Sequence, residues 1–208
     1  MSTKKELSKS AFNQQAATYD NHIRGQHARS LYPVLLEKLS HIPYHSALDL
    51  GCGTGEMLKL ILQEDAQKEL WGIDLAEEML AAAKSKLPET VPLFLGDSES
   101  LPFPDNTFDV VYCNDSFHHY PAPRNVLREV HRVLKPGGTF LMGDCWQPAV
   151  GRMIMNFYMR HSKEGDVKIY SETELVSMLS EYFHHVSWER MGNTACIAMG
   201  EKPADGAA

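Results

Sequence analysis

The stretch Ala47-Leu48-Asp49-Leu50-Gly51-Cys52-Gly53-Thr54-Gly55 determines how this chain folds. Its first half is a short apolar run typical of a buried strand, and a helical pattern follows over residues 55–64. Three glycines in five positions let the backbone turn sharply and approach a ligand closely. The stretch therefore predicts a strand, a turn of the kind that binds nucleotides, and a helix.

Short apolar runs and helical stretches alternate around this turn, which is typical of β-α units and a parallel sheet. Predicted strands cover residues 46–50, 69–73, 91–95, 108–113 and 138–143, and predicted helices cover 55–64, 76–87 and 122–134. A capping box at residues 171–174 predicts a further helix through residue 180. Residues 182–190 and 194–199 then predict an antiparallel hairpin, because their connection is too short for a crossover.

Two regions lie outside this alternation. Residues 5–20 and 24–40 read as two helices, so we expect residues 1–42 to form an N-terminal helical cap or lid and residues 43–202 to form the main domain. Residues 146–170 are expected to be an insertion over the ligand end of the sheet. Residues 203–208 are expected to be a loose tail.

Composition excludes several classes of function. The 208-residue chain has a net charge of −7 with 20 basic residues, which argues against a nucleic-acid partner. It has no leader-like segment and no window approaching 18 apolar residues, so we expect a cytoplasmic protein without a membrane span. Its four cysteines lack a C-x-x-C pair and are expected to be reduced thiols.

Carboxylates follow each of the first three main-domain strands or lie at its end, where open parallel sheets bind ligands. Asp74 ends strand two, where an acid can accept hydrogen bonds from both ribose hydroxyls. That acid alone would suit NAD equally well, and a helix N-cap role is the other alternative. Asp97 follows strand three, where the exocyclic amine of adenine would need an acceptor.

The glycine spacing separates two classes of ligand. Dinucleotide folds use G-x-G-x-x-G facing a pyrophosphate, whereas this turn has G-x-G-x-G with Asp49 two residues before its first glycine. A carboxylate at that position suits a cation. S-adenosylmethionine carries a sulfonium and an ammonium group and no phosphate, so the spacing and the acid favour it over NAD.

Several stretches together resemble the class I S-adenosylmethionine-dependent methyltransferases, most closely the small-molecule group that includes the ubiquinone and menaquinone methylases. The resemblance covers roughly residues 45–145, and residues 12–20 resemble an N-terminal signature of such enzymes. It implies a Rossmann-like, doubly wound, seven-stranded α/β sheet, mostly parallel with an antiparallel last strand. The matching stretches are residues 48–55, 72–74 with Met79, 96–103, 108–111 and 132–138.

The resemblance also implies a role for individual residues. The glycines would form the floor under the methionine part of the cofactor, Asp74 would hold the ribose, and Asp97 and the Ser98 backbone N–H would bind the adenine. Asn114 would accept from the ammonium group, and Tyr19 would close over the site. The predicted cofactor site comprises Tyr19, Asp49, Gly51, Cys52, Gly53, Thr54, Gly55, Asp74, Leu75, Met79, Asp97, Ser98, Glu99 and Asn114.

Methyl transfer from a sulfonium is a direct displacement that leaves S-adenosylhomocysteine, so positioning in a dry pocket is the main requirement. His118 and His119, after strand four, are candidate bases, or one of them orders the loop. Methionines 153, 155 and 159 line an acceptor pocket or pack in the core. No metal site is predicted, since His184 and His185 lack a spaced third ligand.

Three hypotheses follow. The first is an S-adenosylmethionine-dependent methyltransferase, monomeric or homodimeric, that acts on a small molecule through an undetermined oxygen, carbon or nitrogen. The second is an NAD-dependent oxidoreductase on a similar sheet. The third is a regulatory protein that binds the cofactor without catalysis.

Overall fold

Seven strands form one sheet in the order β3-β2-β1-β4-β5-β7-β6 in the computed structural model, which describes residues 3–204. The strands are β1 Ser46–Leu50, β2 Glu69–Asp74, β3 Leu93–Leu95, β4 Phe108–Asn114, β5 Leu134–Cys145, β6 His184–Met191 and β7 Ala195–Glu201. The helices are α1 Lys4–Gln15, α2 Gln26–Ser40, α3 Glu56–Glu64, α4 Glu77–Lys84, α5 Pro123–Val133, α6 Ala149–Met159 and α7 Glu172–Ser180. Short 3-10 helices cover Ile23–Gly25 and Phe117–His119.

Strand direction follows the predicted pattern. The pairs β3–β2, β2–β1, β1–β4 and β4–β5 are parallel, whereas β7 is antiparallel to both β5 and β6. The predicted doubly wound α/β fold and its C-terminal hairpin are therefore confirmed. Strand order reverses between β1 and β4, and such a reversal opens a crevice at the carboxyl ends of these strands.

Each face of the sheet is covered by its own set of helices. On one face, Val126 and Leu127 of α5 and Leu175 of α7 are buried together with β4 and β5 side chains. On the other face, Leu35 of α2 and Leu58 of α3 are buried with alternate residues of the same strands. Because successive side chains of a strand point to opposite faces, the near-continuous apolar runs of β1 and β4 supply both layers.

Element boundaries differ from the predictions by a few residues, and the two largest differences are at the end of α1 and the start of β5. The first helix ends at Gln15 rather than at residue 20, and the guanidinium of Arg29 instead donates hydrogen bonds to the carbonyl oxygens of Tyr19 and His22, both at 2.9 Å. The strand predicted at 138–143 begins at Leu134, with a register shift between Phe108 and Val110 opposite it. Arg29 thus satisfies carbonyl oxygens in the segment after α1, and the bulge lets the pairing of β5 with β4 continue back to Leu134.

The packing of α2 bears on the predicted division at residue 42. Leu31, Leu35 and Leu39 of this helix are buried in the sheet core, so α2 belongs to a covering layer of the main domain. We propose that the lid consists only of the residues before α2. Residues 1–2 of the predicted cap and 205–208 of the predicted tail lie outside the described residues. Within residues 3–204, no helix combines the length and apolarity needed to cross a bilayer.

Candidate functional site

A cavity lies at the carboxyl ends of β1, β2 and β4, with α1 and the segment after it as its opposite wall. This is the crevice expected where strand order reverses. Thirteen of the fourteen predicted cofactor residues line it, and Gly55 does not. The lining residues are Lys5, Ser8, Lys9, Phe12, Tyr19, Ala28, Tyr32, Asp49, Gly51, Cys52, Gly53, Thr54, Met57, Asp74, Leu75, Ala76, Met79, Asp97, Ser98, Glu99, Asn114, Asp115, Ser116, His119, Tyr120 and Pro121.

The glycine turn has left-handed backbone at each of its three glycines, which favours residues without a Cβ. At Gly53, a Cβ would meet nothing within 4 Å, so the backbone there is open to a ligand. At Gly55, a Cβ would lie 2.7 Å from Leu87 Cδ1 and 3.0 Å from Ala83 Cβ. Gly55 therefore allows α3 and α4 to pack closely, and its expected place in the cavity wall is not observed.

Asp49 lies on β1 directly before the turn and is only 2% exposed. Burial raises the pKa of its carboxyl to about 8, because a low-dielectric environment disfavours the charged form. An ionised Asp49 thus needs a cation for compensation. Among the described residues this buried acid has no cation beside it to explain its burial, and it is suited to a positively charged ligand group.

Asp74 is held by the backbone on both sides. One carboxylate oxygen accepts from the Gly53 N–H and the other from the Ala76 N–H, both at 2.8 Å. Since Ala76 is the N-cap residue of α4, the capping role left open by the sequence is partly present. Each oxygen retains a second lone pair for a further donor. Asp74 can therefore fix the turn and still receive the hydroxyls of a ribose.

Asp97 is paired with the lid rather than free. Its Oδ2 accepts from Lys5 Nζ at 2.7 Å, and the same ammonium lies 2.8 Å from a Glu99 carboxylate oxygen. Its Oδ1 accepts from the Glu99 backbone N–H at 2.9 Å. Lys5 therefore occupies an acceptor atom of Asp97 that the adenine amine would also use.

The lid is attached to the main domain by polar contacts. Lys9 of α1 pairs with Glu77 at 2.5 Å, and Asn13 both donates to Glu77 and accepts from the Glu78 backbone N–H. After α1, Asp20 accepts a hydrogen bond from the Thr54 hydroxyl at 2.5 Å. These contacts hold Phe12 and Tyr19 in the cavity wall.

Asn114 provides an acceptor with no partner. Its Nδ2 donates to the Ala28 carbonyl oxygen at 3.2 Å, and its Oδ1 is buried without a hydrogen-bond partner among residues 3–204. A buried unsatisfied acceptor costs about 1–3 kcal/mol, so such an atom next to a cavity indicates a missing donor. An ammonium group would satisfy it.

Asp115 and His27 form a pair that the sequence patterns do not reveal. Asp115 has a left-handed backbone, lines the cavity, and lies 2.7 Å from His27 Nδ1, while His27 Nε2 lies 3.0 Å from the Thr194 carbonyl oxygen. Both partners of the ring accept hydrogen bonds, so both ring nitrogens donate and His27 is an imidazolium. The hydrogen bond to Asp115 accordingly raises the pKa of His27.

The two candidate catalytic histidines lie in different environments. His118 is buried behind the cavity wall and does not line it, and its Nδ1 lies 2.6 Å from Asp144 Oδ1. Burial alone would lower the pKa of His118, but Cys145 and Asp144 raise it well above its ordinary value. His118 is therefore not in the cavity wall, where a base would contact the acceptor.

His119 does line the cavity, and its Nδ1 has no hydrogen-bond partner within the part of the chain that the structure describes. Burial and the neighbouring charge of His118 lower the pKa of His119 to about 3. The ring is therefore neutral at physiological pH and offers a lone pair.

Metal-ligating atoms approach one another in one region of residues 3–204. His118 Nε2 and His119 Nδ1 lie 3.8 and 3.6 Å from Asp166 Oδ1, and Asp144 and Cys145 lie close to His118. The close approach of His118 Nδ1 and Asp144 Oδ1, at 2.6 Å, is that of an ion pair, and this pair accounts for the raised pKa of His118 together with Cys145.

The segment 146–170 does not contribute to the cavity lining. Met153 and Met155 are 67% and 40% exposed, so they neither line an acceptor pocket nor pack in the core. Both alternatives are wrong for Met153 and Met155, because α6 turns its apolar face away from the sheet, and Met159 is half-buried and does not line the cavity. Asp166 of the same segment instead lies beside the histidine pair.

Comparison with known proteins gives the following similarities. Residues 48–142 match the family described as a methyltransferase domain. The uncharacterized methyltransferase YcgJ of Bacillus subtilis is 39% identical over 108 residues, which cover 50% of this chain and 42% of the relative. A demethylmenaquinone methyltransferase of Listeria welshimeri is 35% identical over 123 residues, which cover 56% of this chain and 52% of the relative.

The chain thus spans about half the length of the curated relatives it matches. Among solved structures, an S-adenosylmethionine-dependent methyltransferase from Thermotoga maritima has a TM-score of 0.73 and 18% identity. The match covers 93% of this chain and 99% of that one. At this identity the likeness shows the fold and leaves the reaction to be argued from the site.

Proposed function

We propose that this chain, which carries a methyltransferase domain over residues 48–142, transfers a methyl group from S-adenosylmethionine to a small-molecule acceptor. One observation carries the proposal for this particular cofactor. The cavity combines the buried carboxyl of Asp49 with the unsatisfied Oδ1 of Asn114, next to the open backbone of Gly53. These groups suit a cationic amino-acid moiety and do not suit a pyrophosphate.

Each predicted cofactor residue then has a role. Asp74 would hold the ribose, and Asp97 would accept from the adenine amine after Lys5 releases it. Leu75 and Met79 would flank the ring. Asp49, Asn114 and the glycine turn would hold the methionine part, which keeps the sulfonium close to β1 and β4.

The bound cofactor supplies an electrophilic methyl group on a sulfonium. The chain supplies orientation and a dry environment, since an in-line displacement needs the nucleophile and the methyl group aligned. Phe12 packs edge-on against Tyr19 and His119, with ring centroids 6.0 and 5.1 Å apart, and these three side chains form one continuous wall of the cavity.

His119 is the candidate that can act on the acceptor. With a pKa of about 3 its ring is too weak a base to hold a proton at neutral pH, but as a neutral ring in the cavity wall it can contact an acceptor molecule. We assign His119 as a positioning residue that orients the nucleophile. His118 supports it from behind through its contact with Asp144.

The proposal also covers the class of acceptor, the cellular location and the oligomeric state. With a net charge of −7 the chain is suited to a small molecule rather than a nucleic acid, and we propose that it acts in the cytoplasm as a monomer or homodimer. The relative named demethylmenaquinone methyltransferase makes an aromatic or quinone-like acceptor the first class to test. No feature of the cavity favours an oxidoreductase.

Calorimetry tests the cofactor assignment. We expect S-adenosylmethionine to bind with micromolar affinity and NAD not to bind. Asp74→Ala should weaken binding of S-adenosylmethionine by about 1–3 kcal/mol, the range for lost hydrogen bonds to a charged group. Asp65→Ala is the matched control, because Asp65 is an exposed acid at the end of α3 and does not line the cavity. Tight binding of NAD, or equal affinity in Asp74→Ala, would overturn the assignment.

A further inference from the structure

Helix α6, Ala149–Met159, has no buried residue. Of the eight large apolar side chains that are exposed in residues 3–204, six belong to this helix. They are Val150, Met153, Ile154, Met155, Phe157 and Tyr158, with exposed fractions between 40% and 69%. Single exposed apolar residues are ordinary on protein surfaces, but a continuous set on one helix marks an interaction surface.

Five of these residues form one face. Val150, Met153, Ile154, Phe157 and Tyr158 are spaced at i, i+3, i+4, i+7 and i+8, which is the pattern by which a helix buries one side. Helix α7 shows the usual result, since Leu175, Met178 and Leu179 are buried against the sheet. In α6 the same kind of face points outward. We call these five residues the α6 apolar face.

Charge around this face differs from that of the rest of the chain. Between Asp144 and Glu164 the sequence has no acidic residue, and it carries the basic residues Arg152, Arg160 and Lys163. The whole chain has a net charge of −7, so this cationic segment stands out. Arg160 and Lys163 are exposed directly after the helix. Neither side chain forms a hydrogen bond within the described residues. An apolar helical face flanked by cations is the composition of helices that lie in a membrane interface.

The charges also separate the two main classes of partner. In a two-fold dimer through α6, the same acid-free segment would face itself, and its cations would repel one another without an acid to pair with them. A bilayer with anionic phospholipid headgroups offers apolar chains for the face and negative charges for the cations. We propose that the α6 apolar face docks on the surface of such a bilayer.

The position of α6 connects this docking to the cavity. Lys4, at the start of α1, donates to the Met159 carbonyl oxygen at 2.7 Å, and Arg24 pairs with Glu164 at 2.8 Å. Residues of α1 line the cavity, so the lid and the docking helix are in direct contact. If the proposed methyl transfer is correct, docking presents the lid side of the cavity to apolar acceptors dissolved in the membrane. Docking itself does not depend on that function.

Phe157→Trp provides a direct test, because residue 157 is 60% exposed in the centre of the face. The protein is mixed with vesicles of phosphatidylcholine alone or with phosphatidylglycerol added. We expect the tryptophan emission to shift to the blue and to be quenched by brominated lipid when anionic vesicles are present. Sedimentation of the unmodified chain with the same vesicles measures its partition.

Two further variants separate the contributions. Met153→Ser with Phe157→Ser should weaken the partition at least tenfold, since both apolar anchors are lost. Arg160→Gln with Lys163→Gln should weaken it about fivefold per charge on anionic vesicles, and salt should have a similar effect. Leu95→Ser is the control, because Leu95 is 55% exposed on the edge strand β3 and should leave the partition unchanged.

Three results would overturn the proposal. The first is no sedimentation with anionic vesicles. The second is equal partition of the Met153 and Phe157 double variant and the unmodified chain. The third is a lipid-free dimer, detected by light scattering, that the same double substitution dissociates, which would assign the face to a second copy of the chain. None of these measurements uses the cofactor, so they succeed or fail independently of the methyltransferase assignment.

Discussion

Asp49→Asn should be more stable than wild type, and this difference in stability should grow as the pH rises. Burial raises the pKa of this acid from 3.8 to about 8, so the folded protein retains a proton that the unfolded chain loses. For an acid with a raised folded pKa, stability is complete at low pH. It falls as the pH rises from the unfolded pKa to the folded pKa, and is constant above it. The window of falling stability therefore runs from about pH 4 to pH 8.

The magnitude follows from the same linkage. At about 1.4 kcal/mol per pH unit, wild type should lose on the order of 4 kcal/mol relative to Asp49→Asn between pH 5 and pH 8. At 2–4 °C per kcal/mol for a chain of this size, the variant should gain roughly 10 °C in melting temperature relative to wild type over that range. The amide lacks the titrating proton, so groups elsewhere in the chain cancel in the comparison.

Thermal and urea unfolding at pH 5, 6, 7 and 8 measure this difference. Asp109→Asn is the matched control from the neighbouring strand β4. Burial works to raise the pKa of Asp109, but hydrogen bonds from Lys135 and Ser46 hold it well below its ordinary value. Its stabilisation is present above about pH 4 and lost only at lower pH, so Asp109→Asn should be less stable than wild type by a constant amount between pH 5 and pH 8.

Parallel stability profiles of wild type and Asp49→Asn between pH 5 and pH 8 would contradict the raised pKa of Asp49. Affinity provides the second measurement, because the proposed cationic ligand interacts with the ionised acid. Asp49→Asn should therefore bind S-adenosylmethionine more weakly than wild type although it is more stable. If Asp49→Asn is more stable than wild type and binds S-adenosylmethionine with equal affinity, Asp49 does not contact the cofactor.

Three further predictions concern the turn, the lid and the His27–Asp115 pair. Gly53→Val should abolish cofactor binding and destabilise the fold less than Gly55→Val does, because both left-handed positions are strained by a Cβ but only the one at Gly55 also collides with Leu87 and Ala83. Calorimetry and circular dichroism measure the two effects, and the reverse order would contradict the assigned roles. Lys5→Met should tighten S-adenosylmethionine binding up to about fivefold, because it frees Asp97 from an ion pair that contributes about 0–1 kcal/mol. A loss of affinity would instead make Lys5 a ligand-binding residue. His27→Gln should lower the melting temperature more at pH 6 than at pH 9, because the raised pKa of His27 stabilises the folded protein only while the ring is protonated. An equal effect at both pH values would contradict the assignment of His27 as an imidazolium.

Local sequence patterns predicted the parts of the site that lie on strands. The apolar run before Gly51 requires a buried strand, and parallel strands bring their carboxyl ends to one edge, so Asp49, Asp74 and Asp97 converge. The glycine turn also predicts that Gly55 lies in the cavity wall, because Gly55 belongs to that turn. Its actual contact is with α4, and which element packs on a turn is a tertiary fact that a local motif does not contain.

Pairs between distant residues could not be predicted in this way. Lys5 and Asp97 are 92 positions apart, and His27 and Asp115 are 88 apart, so no periodicity or spacing links them. For α6 the local pattern is clear, but the partner of the helix is not. Its spacing correctly defines an apolar face, but amphipathicity does not state what covers that face, and the protein core does not.

The three acids of the cavity differ in how their charges are compensated, and this difference determines what the site can recognise. Asp74 accepts two backbone hydrogen bonds, and Asp97 is paired with Lys5. Asp49 is buried with a carboxyl whose charge is costly until a cation arrives. A neutral or anionic ligand would leave that cost in place, whereas a sulfonium or ammonium group removes it. Under the proposed function, discrimination by charge therefore rests mainly on Asp49, although Asp74 resembles the ribose-binding acid of dinucleotide folds more closely.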